Sequence, residues 1–109
     1  MGYYTDFNLA IIEGPDVLTI NPNQTNFDED FRNITGYHLD ELINAKWYDY
    51  NNNMIKLSQM YPTSLFLLEG IGEEGGDYWR TYYYNGNYQR IEAKIIFDSP
   101  DLQKLKGIT

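Results

Sequence analysis

The residue types able to do chemistry crowd into one stretch, Glu69-Gly70-Ile71-Gly72-Glu73-Glu74-Gly75-Gly76-Asp77. Gly70-x-Gly72-x-x-Gly75 has the glycine spacing of a dinucleotide loop, whose free backbone N–H groups hold a pyrophosphate where a helix opens. Here Glu73 and Glu74 sit inside the loop and would repel phosphate, and the residues that follow read as a strand. A mobile acidic hairpin loop fits better. Glu69, Glu73, Glu74 and Asp77 are the hard oxygen donors that Ca²⁺ or Mg²⁺ prefers, but their spacing is not that of an EF-hand, and a solvated acidic loop is the simpler reading. Hydrolysis by paired carboxylates needs one acid held in an apolar pocket, which a glycine-rich loop does not supply. The single histidine, His38, reads as a surface or helix-end residue, and the absence of Cys removes thiolate ligands, disulfides and a cysteine nucleophile. We expect no catalytic residue, no metal and no cofactor.

Two further features bear on binding. Aromatic residues make up 17% of the 109 positions, with 11 Tyr, more than one small core can hide. The net charge is −8, from sixteen acidic and eight basic side chains. That balance opposes direct contact with nucleic acid or an anionic membrane, where cations must neutralise phosphate. The charge is also lopsided: residues 1–54 carry −7, including Asp28, Glu29, Asp30, Asp40 and Glu41, and residues 55–109 carry −1. Carboxylates on a folded scaffold imitate the phosphate track of a duplex and suit a basic groove. The plainer account of Asp28-Glu29-Asp30 is a favourable helix N-terminus.

The elements that position these residues follow from periodicity. Residues 3–12 alternate, with Tyr3, Thr5, Phe7, Leu9 and Ile11 on one side, as a half-buried strand does. Val17 to Ile20 reads as a short return strand. Thr25 and Asp28 have capping-box-like spacing ahead of Phe27, Phe31 and Ile34, and Gly36 ends that helix. Residues 37–49 are ambiguous between a helical turn at Leu39–Ile43 and a short strand at Lys46–Tyr48. A second helix runs from a cap at Asp49 through Tyr50, Met54, Leu57 and Tyr61 to Pro62. Leu65 to Leu68 suits a central strand. Asn85-Gly86 marks a two-residue hairpin turn between 77–84 and 87–97, pairing Tyr83 with Tyr88, Thr81 with Arg90, Trp79 with Glu92 and Asp77 with Lys94. The aliphatic trio Ile91, Ala93 and Ile95 is expected to face the helices, leaving Trp79, Tyr83, Tyr88 and Arg90 toward solvent. The tail beyond Asp98-Ser99-Pro100 reads as a last helical turn. The sum is a single α+β domain over residues 1–109: an antiparallel sheet of about four strands with two helices on one face.

An exposed face of Trp79, Tyr83 and Tyr88 resembles the base-stacking sheet of an RNA binder, but with few cations nearby it better fits a protein–protein hot spot. No leader-like segment or membrane-length apolar run is visible, so a cytoplasmic protein is expected.

Longer motifs point to a family. Met1-Gly2-Tyr3-Tyr4-Thr5, Lys46-Trp47-Tyr48-Asp49, Leu57-Ser58, Tyr61-Pro62 and the run from Leu65 through Gly70-x-Gly72-Glu73-Glu74-x-Gly76-Asp77-x-Trp79 resemble small, uncharacterised proteins of bacteriophages and other large DNA viruses. Asn85-Gly86 and Ala93-Lys94-Ile95 continue the likeness over nearly the whole length. The sequence departs from that pattern at Tyr50-Asn51, where an acidic residue and His are usual, and at Glu69-Gly70, where His-Gly is usual. The resemblance implies a viral origin and the cytoplasm of an infected host cell, with no established activity to carry over. A shorter likeness to PAS sensor domains rests on Ile34-Thr35-Gly36-Tyr37, Glu41-Leu42-Ile43 and Asn85-Gly86-Asn87-Tyr88. Together these readings lead us to expect a non-catalytic protein that binds and inhibits a host protein with a basic surface, such as a defence nuclease. Its contact residues would be Asp28, Glu29, Asp30, Asp40, Glu41, Glu73, Glu74, Asp77, Trp79, Tyr83 and Tyr88. The alternatives are a small-molecule or nucleotide-binding module and a virion component.

Overall fold

The computed structural model describes residues 3–18, 26–74, 76–94, 97, 99–105 and 107. Four strands, β1 (Thr5–Glu13), β2 (Leu65–Gly72), β3 (Tyr78–Tyr84) and β4 (Asn87–Glu92), form an antiparallel sheet in the order β1-β2-β3-β4. Between β1 and β2 the chain makes two helices, α1 (Phe27–Thr35) and α2 (Tyr50–Met60), with a 3-10 turn at Leu39–Glu41 between them. The α+β class, the four strands and the two helices agree with the sequence reading.

Both helices lie on one face of the sheet. Phe27 of α1 stacks on Phe66 of β2, with ring centroids 5.7 Å apart, and Tyr50 of α2 stacks on Trp79 of β3 at 4.7 Å. Trp47 fills the space between helices and sheet, touching Phe7 at 5.2 Å and Phe31 at 5.4 Å. Its indole N–H donates to Asn53 Oδ1 at 2.8 Å, so its one polar atom is satisfied inside the apolar cluster. Phe31, Met54, Leu57, Phe66, Leu68 and Tyr83 are fully buried there.

The β3–β4 hairpin turns at Asn85 and Gly86, both with positive φ (45° and 84°), the geometry that matches the twist of the flanking strands. Its register is the expected one from Tyr84–Asn87 to Trp79–Glu92. Strand pairing stops there, so Asp77 and Lys94 make no ladder pair, and Asp77 instead accepts a hydrogen bond from the Tyr3 hydroxyl.

The expected orientation of the hairpin is reversed. Trp79, Thr81 and Tyr83 are buried against the helices, and Ile91 and Ala93 lie on the opposite, uncovered side. β3 is an interior strand and decides the hairpin's face: its alternate positions are Trp79, Thr81 and Tyr83 on one side and Tyr78, Arg80, Tyr82 and Tyr84 on the other. Burying Arg80 under a helix would strand a charge, whereas the two large rings gain most from burial. β4 is an edge strand that the helices barely reach, so every one of its residues, Ile91 and Tyr88 included, stays exposed. Ile95 lies outside the described residues.

Smaller differences have local causes. β2 extends to Gly72, so Gly70 and Gly72 belong to a strand and the acidic turn shrinks to the residues after it. Lys46–Tyr48 forms no strand; Ala45 makes an isolated bridge to Thr5, exchanging both backbone hydrogen bonds at 2.9 Å. Asp49 stands at the N-cap of α2, but its carboxylate accepts from the Asn52 side chain (2.9 Å), not from a backbone N–H. Thr25 and half of the proposed return strand, residues 19 and 20, lie outside the described residues; Val17, which is buried, and Leu18 form a turn where a strand was expected. A 3-10 turn at Leu102–Lys104 answers the expected last helical turn.

Candidate functional site

The end of the sheet where β1 begins, β2 ends and β3 begins gathers the sequence's most distinctive motif. Gly70 lies opposite Trp79 across the β2–β3 ladder, and a Cβ on Gly70 would fall 2.2 Å from the indole ring. A Cβ on Gly72 would meet the Asp77 carboxylate at 2.0 Å and the Tyr3 hydroxyl at 2.2 Å. The two glycines are therefore bare so that a tryptophan and a Tyr3–Asp77 pair can lie on them. The Gly-x-Gly spacing has an architectural origin and no phosphate loop is formed.

Around Trp79 the sheet end becomes an aromatic cleft of about 270 Å³, lined among others by Tyr3, Trp47, Tyr48, Tyr50, Asp77 and Arg90. The Arg90 guanidinium lies over the Trp79 ring, 4.7 Å from its centroid, and donates to the Tyr50 hydroxyl. Tyr3 is the tie-rod of the rim. Its hydroxyl donates to Asp77 Oδ2 (2.5 Å) and accepts from the Glu74 N–H (3.2 Å), while its backbone N–H donates to the Tyr48 hydroxyl (2.9 Å). The hydrogen bond to the Asp77 carboxylate raises the Tyr3 phenol above its ordinary pKa, since ionisation would place two anions side by side. Next to it the Tyr4 N–H donates to Glu73 Oε1 at 2.8 Å. Glu73, Glu74 and Asp77 are thus tied to the β1 end at three points.

These ties also account for the carboxylates considered as cation ligands. Glu69 accepts from the Tyr78 hydroxyl (2.7 Å) and sits 3.4 Å from Arg80 Nε on the uncovered sheet face, away from Asp77. Among the described residues no group of three or more His, Cys, Asp or Glu is placed to hold a metal ion. His38 caps the 3-10 turn: Glu41 accepts from its N–H at 2.9 Å, with the imidazole 3.8 Å away.

The expected contact residues do not converge on one patch. Asp28 and Glu29 are exposed on the first turn of α1, and Asp30 is half-buried, accepting from the Tyr61 hydroxyl at 2.5 Å. That turn packs beside Phe66 near the start of β2, whereas Glu73 follows its end, roughly 20 Å away along the strand. Asp40 and Glu41 lie on the 3-10 turn, against the β1 edge where the Phe7 N–H donates to the Leu42 carbonyl. Trp79 and Tyr83 are interior residues, and Tyr88 is exposed on β4. What the structure does bring together is Glu73, Glu74 and Asp77 with the cleft. Sequence reasoning missed Tyr3, Tyr48, Tyr50 and Trp47 as parts of this site. The legible signal was the pairing of bare glycines with later residues, Gly72 with Asp77 five positions on and Gly70 with Trp79 nine positions on, which is nested cross-strand spacing for a short hairpin.

Comparisons with protein-family models, curated proteins and solved structures give no match for this chain. Among the described residues no helix is long and apolar enough to cross a membrane.

Proposed function

We propose that this chain is a non-catalytic docking protein whose acidic β2–β3 turn engages a basic surface on a protein partner. One observation carries the reading: Glu73 and Glu74 are exposed on a turn hydrogen-bonded to Tyr3 and Tyr4 beside an aromatic cleft. A carboxylate already held, as Glu73 is by the Tyr4 N–H, loses little freedom on binding, and an exposed aromatic such as Tyr48 (65%) supplies the apolar contact that charge alone lacks. The likeness to small viral proteins makes a host enzyme that handles nucleic acid, a defence nuclease above all, the partner class to test. Asp28 and Glu29 on α1 and Asp40 and Glu41 on the 3-10 turn lie away from the cleft and steer the approach by long-range charge.

The test is inhibition of such enzymes by the purified chain at rising ionic strength. Charge reversal of the turn (Glu73→Lys with Glu74→Lys) abolishes binding, and Asp28→Lys with Glu29→Lys slows association about tenfold with little change in dissociation. Equal potency of both variants and the wild type at every salt concentration refutes the reading.

The cleft favours a second reading, a module for a small planar ligand. At about 270 Å³ it is just below the usual range for such sites, and Arg90 already serves Trp79 and Tyr50. Thermal stabilisation by a nucleotide or other aromatic metabolite, lost in Arg90→Ala, would establish it in place of the docking function.

A further inference from the structure

The two edges of the sheet are finished differently. The β1 edge is closed by the chain itself: Thr5 and Ala45 exchange backbone hydrogen bonds, and the Phe7 N–H donates to the Leu42 carbonyl at 2.9 Å. The β4 edge is open. The Ala93 N–H donates to the Tyr78 carbonyl, so Ala93, Ile91 and Gln89 turn their backbone groups toward β3. Tyr88, Arg90 and Glu92, the alternate residues, turn theirs outward. Among the described residues nothing bonds to those outward groups. All six residues of β4 are exposed, and its register with β3 is unbroken. Neither a proline nor a bulge blunts it, the usual protections of a free edge.

This edge complements itself. When a strand pairs antiparallel with its own copy about a two-fold axis perpendicular to the sheet, like faces stay together, so the axis passes through a residue. Centred on Arg90 or on Glu92, it sets that charge against itself. Centred on Gln89, it leaves Arg90 opposite Tyr88 and Glu92 opposite Gly86 in the turn. Centred on Ile91, it places Arg90 of each copy opposite Glu92 of the other, Tyr88 opposite Lys94, and Ile91 against Ile91. Opposite charges, a cation beside a ring and an apolar pair are all favourable cross-strand neighbours. Within one chain Arg90 Nε already lies 3.4 Å from the Glu92 carboxylate, so the four charges would alternate in sign around a square. Residues 87–94 carry Arg90 and Lys94 against Glu92, a net of +1, so the excess of −8 resides elsewhere on the chain.

We propose that two copies of this chain join edge to edge along β4, antiparallel and centred on Ile91, into one continuous sheet. The outward groups of Tyr88, Arg90 and Glu92 gain backbone partners, and Ile91, 48% exposed in the single chain, is covered by its counterpart. One short strand from each copy is a smaller contact than the standard interface of about 1,600 Å², so the dimer is a weak one. Glu73 and Glu74 take no part in it, so the dimer and the docking function stand or fall separately.

Sedimentation of the full chain from about 10 µM to 1 mM should show a monomer–dimer equilibrium. Amide exchange reads the edge: protection at Tyr88, Arg90 and Glu92 grows with concentration, while Gln89 and Ile91, already bonded to β3, change little. Ile91→Lys and Ile91→Asp reads the register. Each substitution, at an exposed position that far-UV circular dichroism should find harmless to the fold, sets like charges face to face on the axis and raises Kd about tenfold or more. An equimolar mixture of the two variants dimerises again, because the introduced charges are then opposite. A chain that is monomeric at every concentration overturns the proposal. So do single variants that dimerise as well as the wild type, or a mixture that associates no better than either variant alone.

Discussion

At the scale of single residues, the site is built on what two glycines lack. Gly70→Ala would press a methyl to 2.2 Å from the Trp79 indole, with Tyr50 stacked on the same ring, so the tryptophan cannot yield without moving its neighbours. We expect a loss of about 3 kcal/mol in chemical denaturation. Gly36→Ala is the contrast: nothing lies within 4 Å, and only its positive φ of 81° resists, so about 1–2 kcal/mol is expected. The tyrosines give a pH signature. Burial raises the phenol of Tyr83 well above its ordinary value, with the nearby Tyr50 hydroxyl acting in the same direction. Burial does the same for Tyr61, reinforced by its hydrogen bond to Asp30. In the unfolded chain both ionise near pH 10, so the stability they contribute is complete below that and falls as pH rises above it. An absorbance titration should show the phenols of Tyr61 and Tyr83 ionising only on alkaline unfolding. Tyr83→Phe should move that unfolding to higher pH.

At the scale of elements, one serine couples α2 to the hairpin. Ser58 is fully buried; its hydroxyl donates to the Ile55 carbonyl (2.7 Å) and accepts from the Gly86 N–H (2.9 Å) in the β3–β4 turn. Ser58→Ala leaves the half-buried Gly86 N–H without its partner and should cost about 1–2 kcal/mol, with hydrogen exchange at Gly86 accelerated more than at β1. The hairpin also shows how far local patterns reach. Asn85-Gly86 fixed the turn and hence every pair from Tyr84–Asn87 to Trp79–Glu92, because a two-residue loop permits one register. The same pattern did not say which face turns inward. Ile91 looked like a core residue because β4 was judged by its own composition, but an edge strand beyond the helices has no core to face. The vote belonged to β3, where Arg80 and Trp79 alternate.

At the scale of the whole molecule, the acidic groups are spread over α1, the 3-10 turn and the β2–β3 turn, and the resulting field is broad. A charge of −8 on a body this small repels itself, so thermal stability should rise as salt is added from low to physiological ionic strength, by a few degrees in Tm. A Tm that is flat or falls over that range contradicts this. The helices, the hairpin register and the α+β class were legible in the sequence, since each depends on spacing within a short window of chain; the strand order β1-β2-β3-β4 was not. The cleft was not. Tyr3, the Trp47–Tyr50 stretch and Trp79 meet from three separate segments, and their meeting depends on which face of the sheet the helices cover. Periodicity identifies two faces of a strand without ranking them. Only the packed structure ranks them, because the free energy of burial depends on what lies across the gap.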